Sequence, residues 1–120
     1  MEHTNAVTAL GALAHEHRLA VVRLLLEHAP IGLPAGVIGE QLTLAPATLS
    51  FHLKELARTG LVTAHPDGRF IWYRANLATM NGLVAYLTDN CCKSQAAAVC
   101  CEPVTPKPRI VARTKQENLA

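Results

Sequence analysis

Cysteine is absent from the first 90 residues of this 120-residue chain, and all four thiols fall between residues 91 and 101. The bulk of the chain therefore folds without disulfides, around the single core that a chain of this length can bury. Aromatic residues are also scarce, at 4% against 50% hydrophobic, so the apolar content is mostly aliphatic and leans towards helices. There is no long hydrophobic run. The most apolar stretch, Leu19 to Leu26, is interrupted by Arg23 and is too short to cross a bilayer. Met1-Glu2-His3 lacks the basic-then-apolar pattern of a signal peptide, so a cytoplasmic protein with no membrane partner is expected, with thiols mostly reduced. Strong charge is missing too. The net charge is +2, with +3 carried from residue 103 onward and −1 before it. Such a balance does not identify a nucleic-acid binder, and the proline-containing basic tail reads first as a solvated segment. No Ser, His and Asp have the context of a catalytic triad, so an enzyme is not expected.

What is present is a clear order of periodic segments. Ala6 to Ala14 and His15 to His28 read as helices, the second with Leu19, Val22 and Leu26 on a broad apolar face. Pro30, Gly32 and Pro34 then punctuate the chain. Ala35 to Leu42 makes about two helical turns, Thr43-Leu44-Ala45 connects tightly, and Pro46 sits where a first-turn proline belongs. The following helix reaches about Thr59 and stops at Gly60, with Leu49, Leu53 and Leu56 aligned towards a core. Leu61 to His65 and Phe70 to Ala75 are β-prone runs around Pro66-Asp67-Gly68, which predicts a two-stranded hairpin. Leu77 to Asn90 returns to helix, with Met80, Leu83, Val84 and Leu87 along one stripe.

A short helix joined tightly to a second helix and followed by a hairpin is a winged helix-turn-helix, mainly α with a small β-hairpin. In that motif the second helix presents its N-terminal side chains to base edges in the major groove. Thr48, Ser50, His52 and Lys54 fall largely off the apolar stripe and carry donors and acceptors suited to bases or phosphates. The hairpin would bring Arg69, and with it His65, towards the DNA backbone or minor groove. His15, His17, His28 and, unless the wing uses it, His65 read as surface or core residues. The same leucine spacing followed by a hairpin also occurs in domains that bind no DNA.

The stretch ATLSFHLKELARTGLV, residues 47–62, resembles the recognition helix of ArsR/SmtB-family repressors through Thr48, Ser50, His52, Leu53, Leu56, Gly60, Leu61 and Val62. Upstream HEHRLAVVRLLLE and downstream DGRFIWYR resemble that family's preceding helix and wing. The resemblance covers roughly residues 5–92. It implies a homodimer that represses transcription, binds double-stranded operator DNA and is released by a metal or metalloid. It also implies that the first helix and the Leu77–Asn90 helix form the dimer interface. There are departures. Ala45 and Pro46 stand where the family often has Ser and Gln, and Phe51 replaces the first residue of a frequent His-His pair. PAGVIGEQL lacks a Cys-Val-Cys-type arsenic motif, and Asp89 has no following His to form a zinc pair.

The thiols Cys91, Cys92, Cys100 and Cys101 are thus the candidate metal ligands. Thiolates select zinc, cadmium, Cu(I) and trivalent arsenic or antimony. Adjacent pairs without a spacer disfavour a closed four-thiolate zinc clip, whose pairs usually come from Cys-x₂₋₄-Cys. Trivalent arsenic needs three thiolates and a methylated arsenical two. NCCKSQAAAVCC resembles a family arrangement of a vicinal pair plus a later third cysteine, either Cys100 or Cys101. On a continuous helix Cys92 and Cys100 would lie about 12 Å apart, so one ion could join them only if the Ala-rich spacer bends. The expected inducer is As(III), Sb(III) or a methylated arsenical, with no cofactor required. A redox or persulfide switch, a Cd/Zn thiolate sensor and incidental cysteines stay open. The expected division is a DNA-binding and dimerisation domain over 1–92 and a cysteine-bearing segment with a basic tail over 93–120.

Overall fold

A computed structural model describes residues 1–91. The elements run α1 (His3–Leu13), α2 (Glu16–Glu27), β1 (Leu33–Pro34), α3 (Ala35–Leu42), α4 (Pro46–Arg58), β2 (Val62–Asp67), β3 (Phe70–Ala75) and α5 (Leu77–Thr88). Local chemistry sets most of these limits. His15 caps α2, its Nδ1 accepting the His17 N–H at 3.1 Å. Past the end of α3, Thr43 takes the left-handed conformation (φ 55°, ψ 51°), and the Leu44 N–H reaches the Gly39 carbonyl at 3.0 Å. This turns the chain sharply into α4, where Pro46 occupies the first turn. α4 ends in a Schellman arrangement: the Leu61 N–H bonds to the Leu56 carbonyl at 3.0 Å and the Gly60 N–H to the Ala57 carbonyl at 3.1 Å.

The sheet has three antiparallel strands in the order β1-β3-β2, not the two expected from sequence. The extra strand is two residues long, Leu33 opposite Tyr73 and Pro34 opposite Trp72. So short a segment carries no period, and its proline argued against a strand. The preceding Gly32 makes the approach possible. It is buried at φ 83°, and a Cβ there would collide with the Tyr73 carbonyl. The hairpin also turns later than the sequence suggested. Pro66 pairs with Ile71 and Asp67 with Phe70, leaving Gly68-Arg69 as the turn, with Gly68 at φ 63°. Pro66 is tolerated because β2 is an edge strand.

The compact unit spans Met1–Leu87. Its core gathers Val21, Val22 and Leu25 of α2, Ile38 of α3, Leu49, Leu53 and Leu56 of α4, and Leu61 and Val62 at the hairpin base. Each large aliphatic side chain so buried contributes roughly 1.5–3 kcal/mol. The α4 leucines fall on the core side, as their spacing requires. α1 packs small residues inward, Ala6, Ala9 and Ala12, and leaves Val7 and Leu10 exposed. His3 of α1 and Tyr86 of α5 share a hydrogen bond of 2.6 Å. No helix among the described residues is long and apolar enough to cross a membrane. A second unit begins at Thr88. In it Cys91 is exposed, and its N–H bonds to the Thr88 carbonyl at 3.0 Å. Cys92, Cys100, Cys101, the boundary expected between 92 and 93, and the basic tail lie outside the described residues.

Candidate nucleic-acid interface

α4 is amphipathic in a way that separates two tasks. Leu49, Leu53 and Leu56 anchor it, while Thr48, Ser50, Phe51 and Lys54 are exposed on the remaining surface. Its start is bare. Ala45 offers no side-chain cap and Pro46 has no N–H, so the amides of Ala47 and Thr48 open the helix without a capping side chain. A helix start of this kind attracts anions. Lys54 adds a positive charge further along the exposed surface. Arg58 is also exposed, but its guanidinium is paired with Glu55 at 2.9 Å, which holds the Glu55 carboxyl below its ordinary range.

The wing stands beside this helix. Arg69 occupies the hairpin turn and is exposed, next to the exposed Phe70. A cleft of about 580 Å³ lies between the helix-turn-helix and the hairpin, and Ser50 and Arg69 both line it, with Leu49, Leu53 and Phe70 among the apolar walls. Two polar candidates that are 19 positions apart in sequence therefore border one depression. His65, at the middle of β2, is half-buried and shares a 2.8 Å hydrogen bond with Thr63.

His52 is where the sequence reading of α4 needs correction. It is buried, at 4% exposure, and turns away from the surface on which bases would be read. Its Nδ1 accepts a hydrogen bond from Arg18 Nε of α2 at 3.1 Å, which fixes the neutral ring with its proton on Nε2. His15 and His17 close around it, with ring centroids 4.5 and 5.8 Å from that of His52. Burial, followed by the charges of His15, Arg18 and His17, lowers the His52 pKa from its ordinary value. Sequence reasoning missed Arg18 and the histidine group altogether. A signal did exist: position 52 is three residues after Leu49 and four before Leu56, so it adjoins the apolar stripe.

Among the described residues, no group of three or more His, Cys, Asp or Glu is arranged to hold a metal ion. Of the four thiols only Cys91 is described.

The helix pair, the three-stranded wing and the polar outer surface of α4 define a winged helix-turn-helix protein. A family model described as a helix-turn-helix domain matches residues 13–65. The transcriptional activator HlyU of Vibrio cholerae is 29% identical over 89 residues, covering 74% of this chain and 80% of that protein. The solved structure of HlyU from Vibrio cholerae N16961 is 32% identical, with a TM-score of 0.58, and the match spans 72% of this chain and 97% of that one. An ArsR-like transcriptional regulator from Rhodococcus sp. RHA1 superposes with a TM-score of 0.63 at 26% identity, over 71% of this chain and 77% of the other. A homodimeric winged helix-turn-helix DNA-binding domain from Mycobacterium bovis, described as a possible ArsR-family regulator, matches at 26% identity and a TM-score of 0.58, over 72% and 81%. The chain belongs to the ArsR/SmtB family of transcriptional regulators, whose members bind DNA and are not enzymes.

Proposed function

We propose that this chain is a cytoplasmic, homodimeric repressor that reads operator DNA with α4 and the wing. It releases the operator when trivalent arsenic or antimony, or a methylated arsenical, binds thiolates among Cys91, Cys92, Cys100 and Cys101. The observation that carries the DNA-reading half is the exposed surface of α4, which bears Thr48, Ser50 and Lys54, and from which Ser50 shares one cleft with Arg69 of the hairpin turn. Homodimerisation is supported by the exposed apolar side chains of α1 and α5 and by the homodimeric relative from Mycobacterium bovis. Two recognition helices related by a two-fold axis then match a near-palindromic operator.

The sensing half rests on chemistry legible in the sequence. Two adjacent thiol pairs separated by an Ala-rich spacer follow α5 in the sequence, and thiolates favour soft trivalent metalloids. Three sulfurs converge on one ion only if the spacer folds back, and that change at the end of α5 alters the dimer. A ligand released in this way must bind the DNA-free arrangement more tightly than the DNA-bound one.

A gel shift with DNA from upstream of the regulated gene tests both halves. Release by micromolar arsenite under reducing conditions is the expected result, and single serine substitutions should single out three indispensable thiols. Release only by oxidant, reversed by reductant, would assign the thiols to a redox switch instead. Release by cadmium or zinc alone would assign them to a metal sensor. Ser50→Ala should weaken operator binding and leave arsenite binding intact. Since HlyU is described as an activator, a reporter strain fixes the sign: deleting a repressor raises transcription, and deleting an activator lowers it.

A further inference from the structure

The bond between α2 and α4 does more than join two helices. Arg18 reaches from the first turn of α2 across the flank of α4. Its Nε donates to the buried His52 Nδ1 at 3.1 Å, and its guanidinium carbon lies 5.5 Å from the centroid of the Phe51 ring. Phe51 is 57% exposed, on the same outer surface as Lys54. The guanidinium thus spans from the protein interior to the edge of the surface proposed to meet DNA. Among the described residues its terminal nitrogens donate no hydrogen bond. Nor does it gain a bonded carboxylate. Glu55 is near enough to feel its charge, but its hydrogen bonds run to Arg58, which donates twice to Oε1 at 2.9 and 3.2 Å.

A half-buried arginine fixed at Nε, stacked on an aromatic ring and left with an unpaired outer edge is preorganised for an external anion. The planar fork matches two oxygens of a phosphate, and little side-chain freedom remains to be lost on contact. Packing alone would not require the acceptor at His52, because an aliphatic residue would fill that buried site without placing a polar ring beside a cation.

We propose that Arg18 is a contact to the DNA phosphate backbone, and that His52 is the positioning residue that aims it. This rests on the DNA-binding reading above. His52 touches no DNA. It accepts the Nε hydrogen through its neutral Nδ1, and His15 and His17 enclose its ring. Phosphate contacts fix the orientation of α4 on the duplex without reading sequence, so Arg18 contributes equally to operator and unrelated DNA.

The test is fluorescence anisotropy of the full chain with operator and unrelated duplexes over a range of salt. Arg18→Gln should weaken both about tenfold and make the slope of log affinity against log salt shallower by about one counterion. His52→Asn keeps an acceptor near the Nδ1 position and should keep the wild-type slope. His52→Leu removes the acceptor and should reproduce the shallower slope. The double variant should then be no weaker than Arg18→Gln alone, because both changes break one unit. A wild-type slope in Arg18→Gln overturns the contact while leaving DNA binding in place. Absence of any DNA binding by the wild type at low salt overturns the DNA-binding reading and this contact with it. Arg18 is half-exposed, so its variant is readable even where His52→Leu does not fold.

Discussion

α4 and α5 are nearly equal in length, 13 and 12 residues, but their surroundings differ sharply. α4 buries Leu49, His52, Leu53 and Leu56, and exposes the polar side chains of Thr48, Ser50, Lys54 and Arg58 alongside Phe51 and small apolar residues. In α5 only Leu83 is buried, while Leu77 and Leu87 are exposed, as is Val7 on neighbouring α1. One helix is satisfied by its own chain and displays chemistry. The other displays apolar surface that a second protein surface would cover. The division suits a DNA-binding regulator that works as a homodimer.

The strongest way to break this contrast is to remove an α4 anchor. Leu53→Ala leaves a cavity in the core cluster that Leu53 shares with Ile38 and Leu56, and should cost about 2–5 kcal/mol, seen as an earlier urea midpoint. A loss below 1 kcal/mol would mean that α4 is not held by the core. Leu87→Asp places a charge on the apolar surface of α5. It should weaken self-association by about tenfold or more, roughly 1.4 kcal/mol, in sedimentation equilibrium, with the far-UV circular dichroism unchanged. Unaltered association would move the dimer contact away from α5.

The smallest effect is expected at the α2–α4 contact. The His52 pKa is lowered in the folded chain, so the unfolded chain binds its proton first as pH falls. Stability should be full above about pH 6.5, the unfolded value, and decline as pH drops through the folded one. The charged and titratable groups that act on it are His15, Arg18 and His17, all from the start of α2. His52→Asn should flatten the fall in urea midpoint between pH 7.5 and 5.5. An equally steep fall in that variant would place the proton linkage at other histidines.

Much of this fold is legible in the sequence because helices announce themselves through period and punctuation. Pro46 and Gly60 bracket α4 to within a residue or so, and Leu49, Leu53 and Leu56 give its inner side. The second sheet edge was not legible. Two residues, one of them proline, have no pattern, and they become a strand only because Gly32 lets the chain approach Tyr73. The hairpin position was misread for a related reason. Pro66-Asp67-Gly68 is good turn chemistry locally, but the pairing of Val62 through Asp67 with β3 is the more extensive interaction, and it moves the turn to Gly68-Arg69.

The sequence by itself determined that this chain is a winged helix-turn-helix with all four thiols gathered between residues 91 and 101, because spacing along one chain is enough to define helix faces and motif order. Only the tertiary structure decided what His52 does. Its position borders both the apolar and the polar side of α4, and periodicity cannot choose between them. The choice was made by α2, 34 residues earlier, which supplies Arg18 as a hydrogen-bond donor and two further imidazoles as walls. A side chain at a helix border takes its role from the neighbour that packs there, and that neighbour is a property of the fold.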